Sequence, residues 1–277
     1  MFPGSKVGAD GRLVVSGASV VSYNAGFGYA ADQALAMTVS SPPPADPYWA
    51  NVTLLALNDN KPTGTTTFVD QSSFAHPLIA GGAMAYSDVS APAGMTTSGR
   101  FYFYTKNRIE SPASADWQFT GDFTIEGMVN FESFIAVANR QALASWTGGD
   151  GTSAVDTSYM LELPATGKTI GWRSSTSGGG LSGIVTNPWT PVTAQWYHVA
   201  ISCIAGVGYQ FVDGVRQPNS GSVPLPLFNS SELLRIGRTG TFDLSDFTGY
   251  MSNVRITKGV ARYSANFTPP ALPLPSA

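Results

Sequence analysis

The chain has few charged residues, one cysteine and two histidines, and these scarcities exclude several kinds of protein. Only 12% of its 277 residues are charged and the formal net charge is −3. The chain therefore lacks the positive electrostatic potential that attracts nucleic acid or an anionic membrane. The single Cys203 excludes an internal disulfide framework and a cysteine-rich zinc site. Because no run of about 18 apolar residues occurs and the N-terminus lacks a basic region followed by an apolar stretch, we expect neither a membrane span nor a secretion signal.

Glycine, proline and apolar residues are abundant, a composition typical of short strands joined by tight turns. The sequence contains 30 glycines and 19 prolines and is 43% hydrophobic. Alternation places Val199, Ile201 and Cys203 on one strand face, which predicts a buried Cys203. We predict strands at residues 52–57, 66–69, 100–104, 123–131, 141–146, 159–163, 169–174, 196–204, 208–212, 233–237 and 249–257. So many strands require two stacked sheets, and we predict an all-β, antiparallel two-sheet sandwich.

The first 47 residues differ in pattern from the rest. The segment ADGRLVVS at residues 9–16 returns as ADQALAMT at residues 31–38, an offset of 22, and each copy indicates a turn followed by a short strand. Two hairpin-sized units cannot bury a core alone. Prolines at 42, 43, 44 and 47 favour an extended linker. We therefore predict an N-terminal β-repeat arm at 1–40, a linker at 41–47 and a sandwich domain at 48–277, with the arm paired to another chain or packed on the domain.

Four motifs in the sandwich region resemble the laminin-G-like jelly roll of the concanavalin A-like lectin/glucanase superfamily. They are DFTIEG at 122–127, WYHVA at 196–200, VDG at 212–214 and GYMSNVRI at 249–256. The two ends of the region are similar to tailed-bacteriophage structural proteins with this fold. The opening end has DPYWANVTLL at 46–55 and TFVDQSS at 67–73, and the closing end has ITKGVARY at 256–263 and NFTPP at 266–270. The resemblance implies a jelly roll displayed on a phage particle.

No arrangement of acids, histidines or nucleophiles predicts catalysis. Retaining glycoside hydrolysis needs two carboxylates about 5 Å apart, whereas Asp122 and Glu126 are four residues apart, roughly 13 Å along a strand. His76 precedes a proline, and His198 lies in a strand motif where packing or a hydrogen bond explains it better than a base role. We therefore name no catalytic residue. A polysaccharide-cleaving enzyme stays as the least favoured alternative, with Glu126 or Glu162 as the residues to test.

Metal and glycan binding are the two remaining kinds of site. A glycine-rich loop carries Asp150 and Asp156, which are weak calcium candidates because calcium takes six to eight oxygens; solvated loop acids are the simpler interpretation, and we predict no cofactor. Trp146, Trp172 and Trp189 lie near predicted strand ends, where indole rings stack on sugars or, more commonly, cap the core.

The leading hypothesis is a non-enzymatic virion structural protein of a tailed phage. It would display the lectin-like sandwich on the outer surface of the particle, as a capsid decoration or a fibre, and bind other virion proteins through residues 1–45. We expect a homo-oligomer, with a trimer as one form, and no nucleic-acid or membrane partner. The alternative, which is compatible with the first, is a glycan-binding adhesin that contacts host or environmental polysaccharide.

Overall fold

The computed structural model describes residues 5–7, 13–15, 45–134, 141–149, 155–163, 169–240 and 246–275. The chain divides into two compact units, Met1–Pro44 and Ala45–Ala277. In the first unit, β1 (Ser5–Val7) pairs antiparallel with β2 (Leu13–Val15), which lies in the first copy of the predicted repeat. The second copy, residues 31–38, lies outside the described residues.

The second unit consists of two antiparallel sheets that form a jelly-roll sandwich, which confirms the predicted fold class. Three 3-10 helices at Trp49–Asn51, Phe103–Thr105 and Ala115–Trp117 accompany its strands. The strands are β3 (Val52–Ala56), β4 (Ile79–Gly81), β5 (Ala85–Ser87), β6 (Ser98–Phe101), β7 (Arg108–Ser111), β8 (Phe123–Phe131), β9 (Gln141–Trp146), β10 (Thr157–Leu163), β11 (Thr169–Gly178), β12 (Gly183–Pro188), β13 (Trp196–Ile204), β14 (Val207–Val212), β15 (Val215–Ser222), β16 (Leu234–Ile236) and β17 (Gly249–Lys258).

The strand order explains how distant segments meet. One sheet has the order β12-β11-β10-β9-β16-β7-β4, and the other has β15-β14-β13-β8-β17-β6-β5 with β3 paired to β17. β8, β13 and β17, which carry three of the sequence motifs, are adjacent at the centre of the eight-stranded sheet. Aromatic and aliphatic side chains from both sheets fill the space between them and form one core, in which Cys203 is fully buried as predicted.

The two sheets are joined at one edge by amide side chains. The Asn187 side chain on β12 donates to the Asn219 carbonyl on β15 (3.0 Å) and accepts from the Asn219 backbone N–H (2.7 Å). The Asn187 amide also donates to Gln210 on β14 (2.7 Å). β12 and β15 are edge strands, and these bonds replace some of the hydrogen bonds that an edge strand lacks on its open side. They also give the polar β15 sequence a structural role.

Several predicted strands have the observed bounds, and others do not. Predictions at 123–131, 141–146 and 196–204 coincide with β8, β9 and β13. The prediction at 66–69 is wrong, because Val69 makes only an isolated bridge to Pro77. The short or polar strands β4, β5, β7, β12 and β15 were not predicted, since their sequences lack a sustained apolar alternation.

The sandwich also includes residues that the sequence assigned to the linker. Asp46 is buried and its carboxylate pairs with Arg255 on β17 (2.9 Å) and with Arg262 (2.7 Å). The Arg255 pair attaches residues 45–47 to β17, and the Arg262 pair attaches them to the C-terminal segment (residues 259–275), which follows β17. Within the described part of the chain, no helix is long and apolar enough to cross a membrane.

Candidate functional site

The tryptophans chosen from the sequence as sugar contacts lie mainly inside the molecule. Trp146 and Trp172 are fully buried between the sheets and leave no ring face open to a sugar. The indole N–H of Trp146 donates to the Glu232 carbonyl (2.8 Å). Trp189 is half-buried, with its ring edge-on to Phe131 (5.8 Å) and Tyr197 (5.2 Å). Of the three, Trp189 alone keeps part of its surface open.

The most highly charged cluster is buried around Glu126 on β8. Arg255 Nε donates to Glu126 Oε1 (2.8 Å), while the Tyr263 hydroxyl donates to Oε2 (2.6 Å) and His198 Nε2 lies 3.0 Å from Oε2. Burial alone would raise the pKa of Glu126, but the Arg255 charge and the His198 and Tyr263 hydrogen bonds hold that pKa well below its usual value. Through Tyr263, this cluster holds the C-terminal segment on the sheet. Because Glu126 is fully shielded from solvent, its carboxylate is not accessible to a substrate.

A cleft lies at one end of the seven-stranded sheet, where three loops meet. This rim cleft has a volume of about 510 Å³ and is lined by Val155, Asp156, Ser177, Gly178, Gly179, Phe228, Asn229 and Ser231. Thr157 pairs with Gly178 across β10 and β11, which brings the first two loops together. The cleft therefore combines a half-buried aromatic ring with exposed amide and hydroxyl groups and one carboxylate.

The Phe228 ring is positioned by a glycine. Phe228 N–H donates to the Ser175 carbonyl (2.9 Å), so the loop after β15 is attached to the end of β11. A Cβ at Gly178 would lie 2.7 Å from the Phe228 ring, and the φ of +79° at Gly178 favours glycine. The missing side chain lets the ring lie against the backbone, and it leaves the ring half-buried beside the exposed Asn229.

Asp156 is held by the loop on the opposite wall. Its carboxylate accepts from the Ser231 backbone N–H (3.2 Å to each oxygen) and from the Ser231 hydroxyl (2.5 Å), and its carbonyl accepts from Ser230 Oγ (2.7 Å). These bonds fix the loops before β10 and before β16 relative to each other. The Asp156 carboxylate is thus preorganised, which lowers the entropy lost when a ligand binds it.

A second cleft, the sheet-face cleft, lies over the outer face of the eight-stranded sheet. It has a volume of about 500 Å³, and its lining includes Trp196, Met128, Pro92, Pro269 and Leu272. Trp196 is half-buried and its indole N–H is already used by Ser90 Oγ (3.0 Å). Because the lining consists of apolar residues and glycine, this cleft lacks side chains that would bond sugar hydroxyls.

The described part of the chain contains one of the two calcium candidates. Asp150 lies outside the described residues, and Asp156 is bonded to Ser231. No group of three His, Cys, Asp or Glu side chains among the described residues could hold a metal ion. Calcium at this loop stays a prediction from the sequence.

Among the residues of the rim cleft, sequence reasoning named Asp156, as a weak calcium candidate, and missed Phe228, Asn229 and Ser177. Ser177 and Phe228 are 51 residues apart along the chain, and no local motif links them. The available signal was the glycine run at 178–180.

Comparison with known proteins places the fold in a large superfamily. Residues 103–262 match the sequence profile Laminin_G_3, described as the concanavalin A-like lectin/glucanases superfamily. No curated protein sequence matches the chain.

Three solved structures illustrate the likeness in fold. The binding domain of Paraclostridial Mosquitocidal Protein 1 has a TM-score of 0.58 at 13% identity, covering 76% of this chain and 49% of that one. The binding domain of botulinum neurotoxin serotype G has a TM-score of 0.54 at 13% identity, covering 74% and 47%. Domain 4 of AbnA, a GH43 extracellular arabinanase from Geobacillus stearothermophilus, in complex with arabinotriose, has a TM-score of 0.53 at 15% identity, covering 76% and 94%. The chain thus spans about half of each toxin binding domain.

Proposed function

Since the chain belongs to the concanavalin A-like lectin/glucanases superfamily, we propose that its sandwich is a carbohydrate-binding module that holds a glycan in the rim cleft. The observation that carries the proposal is the convergence there of the half-buried Phe228 ring, the Asn229 amide, the Ser177 hydroxyl and the Asp156 carboxylate. An aromatic face stacks on the C–H face of a sugar ring, and amides, hydroxyls and carboxylates bond its hydroxyls. The arabinanase domain of similar fold was solved with arabinotriose, which supports a sugar as the ligand class.

We propose a binding role without glycoside cleavage. Glu126 lies on the outer face of the eight-stranded sheet, because it alternates with the core residues Phe123, Ile125 and Val129. Glu162 lies on the outer face of the seven-stranded sheet and pairs with Arg173 (2.9 Å). Carboxylates on opposite outer faces cannot flank one glycosidic bond. Reducing-sugar release that disappears in Glu126→Gln or Glu162→Gln would contradict this proposal.

The binding test uses the full chain on a glycan array, followed by calorimetry on the strongest glycan. We expect Phe228→Ala and Asn229→Ala to weaken binding about tenfold each, the effect of losing a stacking contact or a buried hydrogen bond. Tyr104→Ala is the matched control, because Tyr104 is 72% exposed and lines neither cleft. If Trp196→Ala loses glycan binding and Phe228→Ala keeps it, the glycan binds in the sheet-face cleft and not in the rim cleft. Absence of binding to any glycan would refute the proposal.

We also propose that the sandwich is displayed on the outer surface of a tailed-phage particle and attached by residues 1–45. Support comes from the separate unit Met1–Pro44, with its β1–β2 hairpin, and from the likeness of the chain ends to virion proteins. Residues 45–277 should remain folded but should not join particles, whereas the full chain should join them. Equal incorporation of both would contradict the attachment role. The mass of the full chain by light scattering tests the predicted homo-oligomer, including a trimer.

A further inference from the structure

We propose that Asp156 makes the rim cleft selective for uncharged glycans over glycans that carry carboxylate or sulfate groups. This inference rests on the proposed function, since it concerns the ligand class of that same cleft. Among the described residues that line the cleft, Asp156 is the one with a charged side chain. A ligand anion placed there would meet a negative charge and no cation from the lining.

The charged groups next to the cleft do not reverse this polarity. Glu232, which follows the lining residue Ser231, adds a second carboxylate and is paired with Arg235 Nη2 (3.1 Å). Arg235 is buried, and its other two nitrogens are also bonded: Nε bonds Glu110 (3.2 Å) and Nη1 bonds the Thr147 carbonyl (2.9 Å). The single positive charge of Arg235 is therefore shared between Glu232 and Glu110 and does not exceed the negative charge of these two carboxylates.

The Asp156 carboxylate retains capacity for one ligand hydroxyl. A carboxylate has about four acceptor positions. Ser231 uses three through its contacts to Oδ1 and Oδ2, and no other residue in the described part of the chain takes the remaining position on Oδ1. A sugar hydroxyl can donate to that position, whereas a carboxylate or sulfate oxygen placed there has no proton to donate. Asp156 thus binds a hydroxyl by a hydrogen bond and disfavours an anionic group by charge.

The expected discrimination is modest because the cleft is open to solvent. At an intermediate effective dielectric, repulsion between two anions about 8 Å apart corresponds to about a fivefold loss of affinity. Salt should reduce the discrimination, since the Debye length at physiological ionic strength is about 8 Å.

The test uses the full chain on an array of neutral hexose trimers, each printed beside its C6-oxidised uronate form. We expect the unmodified chain to bind the neutral member about fivefold more tightly than its uronate partner. Asp156→Asn keeps an acceptor oxygen and removes the charge, so the preference should fall to about one. Ser177→Lys, at an exposed position of the cleft, should also remove the preference and covers the case in which Asp156→Asn disturbs the loops. Asp88→Asn, which removes an exposed charge outside both clefts, should preserve it.

The outcomes separate this inference from the function on which it rests. If the chain binds both members of a pair equally, or if Asp156→Asn and Ser177→Lys leave the preference unchanged, the selectivity inference is wrong while carbohydrate binding stands. If no member of the array binds, the proposed function fails and the inference with it.

Discussion

At the scale of single residues, substitution of the buried Glu126 should have a large effect on stability. Glu126→Gln keeps the shape but removes the charge that balances Arg255, leaving Asp46 as the remaining carboxylate partner of that guanidinium. Breaking a buried ion pair costs about 3 to 5 kcal/mol, and we expect a loss of about 3 kcal/mol in the free energy of unfolding by urea. Glu132→Gln is the control: Glu132 pairs with Arg100 on the surface, and its loss should cost less than about 1 kcal/mol. Equal effects would show that the buried cluster does not stabilise the fold.

The sequence predicted individual residues well where strand alternation alone decides their environment. Cys203 shares a face with Val199 and Ile201 and is buried with them. The same rule could have placed Trp172 inside, because it shares a face with the buried Ile170. It could not predict that Glu126 and Arg255 would meet, since their contact requires β8 and β17, which are more than a hundred residues apart, to be neighbours. The ion pair therefore depends on which strands are neighbours in the sheet, and a local sequence pattern does not indicate this.

At the scale of elements, the turn between β14 and β15 is a contact that holds the middle of the C-terminal segment. Gly214 has a φ of +74°, and a Cβ there would lie 1.9 Å from the Phe267 carbonyl oxygen. Phe267 N–H in turn donates to the Gly214 carbonyl (2.9 Å). The turn that contains the VDG motif at 212–214 is thus also a docking point for the C-terminal segment, which the sequence motif did not indicate.

Replacing Gly214 with alanine should loosen the C-terminal segment as well as strain the turn. Gly64→Ala is the matched control, because Gly64 has a φ of +84° but no atom within 4 Å of its added Cβ. We expect Gly64→Ala to lower the free energy of unfolding by about 1 to 2 kcal/mol from backbone strain alone, and Gly214→Ala to lower it by about twice as much. In hydrogen exchange, amides at residues 259–275 should exchange faster in Gly214→Ala only. Equal losses and equal exchange would mean that the Phe267 contact adds nothing to the turn.

At the scale of the whole molecule, the two ends of the sandwich are coupled through buried charges. Asp46 from the entry to the domain bonds Arg262 from its exit, and Arg255 links Asp46 to Glu126 at the centre of the sheet. The sequence motifs at 46–55 and 256–263 therefore occur together because they close the same sandwich. The fold class was predictable from strand number and composition, whereas this closure and the rim cleft depend on contacts between segments far apart in the chain. Because closure of the sandwich explains the motifs at both ends, the phage proposal depends most on the unit Met1–Pro44.

The coupling of the ends should make the whole sandwich sensitive to acid. Burial alone would raise the pKa values of Asp46, Glu110 and Glu126, but their arginine partners outweigh it and lower each pKa in the folded protein. As pH falls below about 4.5, the unfolded chain takes up protons before the folded one, so these groups stabilise the fold fully above that range and progressively less below it. We expect the free energy of unfolding, measured with urea at pH 7, 5, 4 and 3, to decline mainly below pH 4.5. In Glu126→Gln the slope of the unfolding free energy against pH should be smaller by the equivalent of up to one bound proton, since one carboxylate with a lowered pKa is gone. Parallel curves for the two proteins would exclude Glu126 from the acid response.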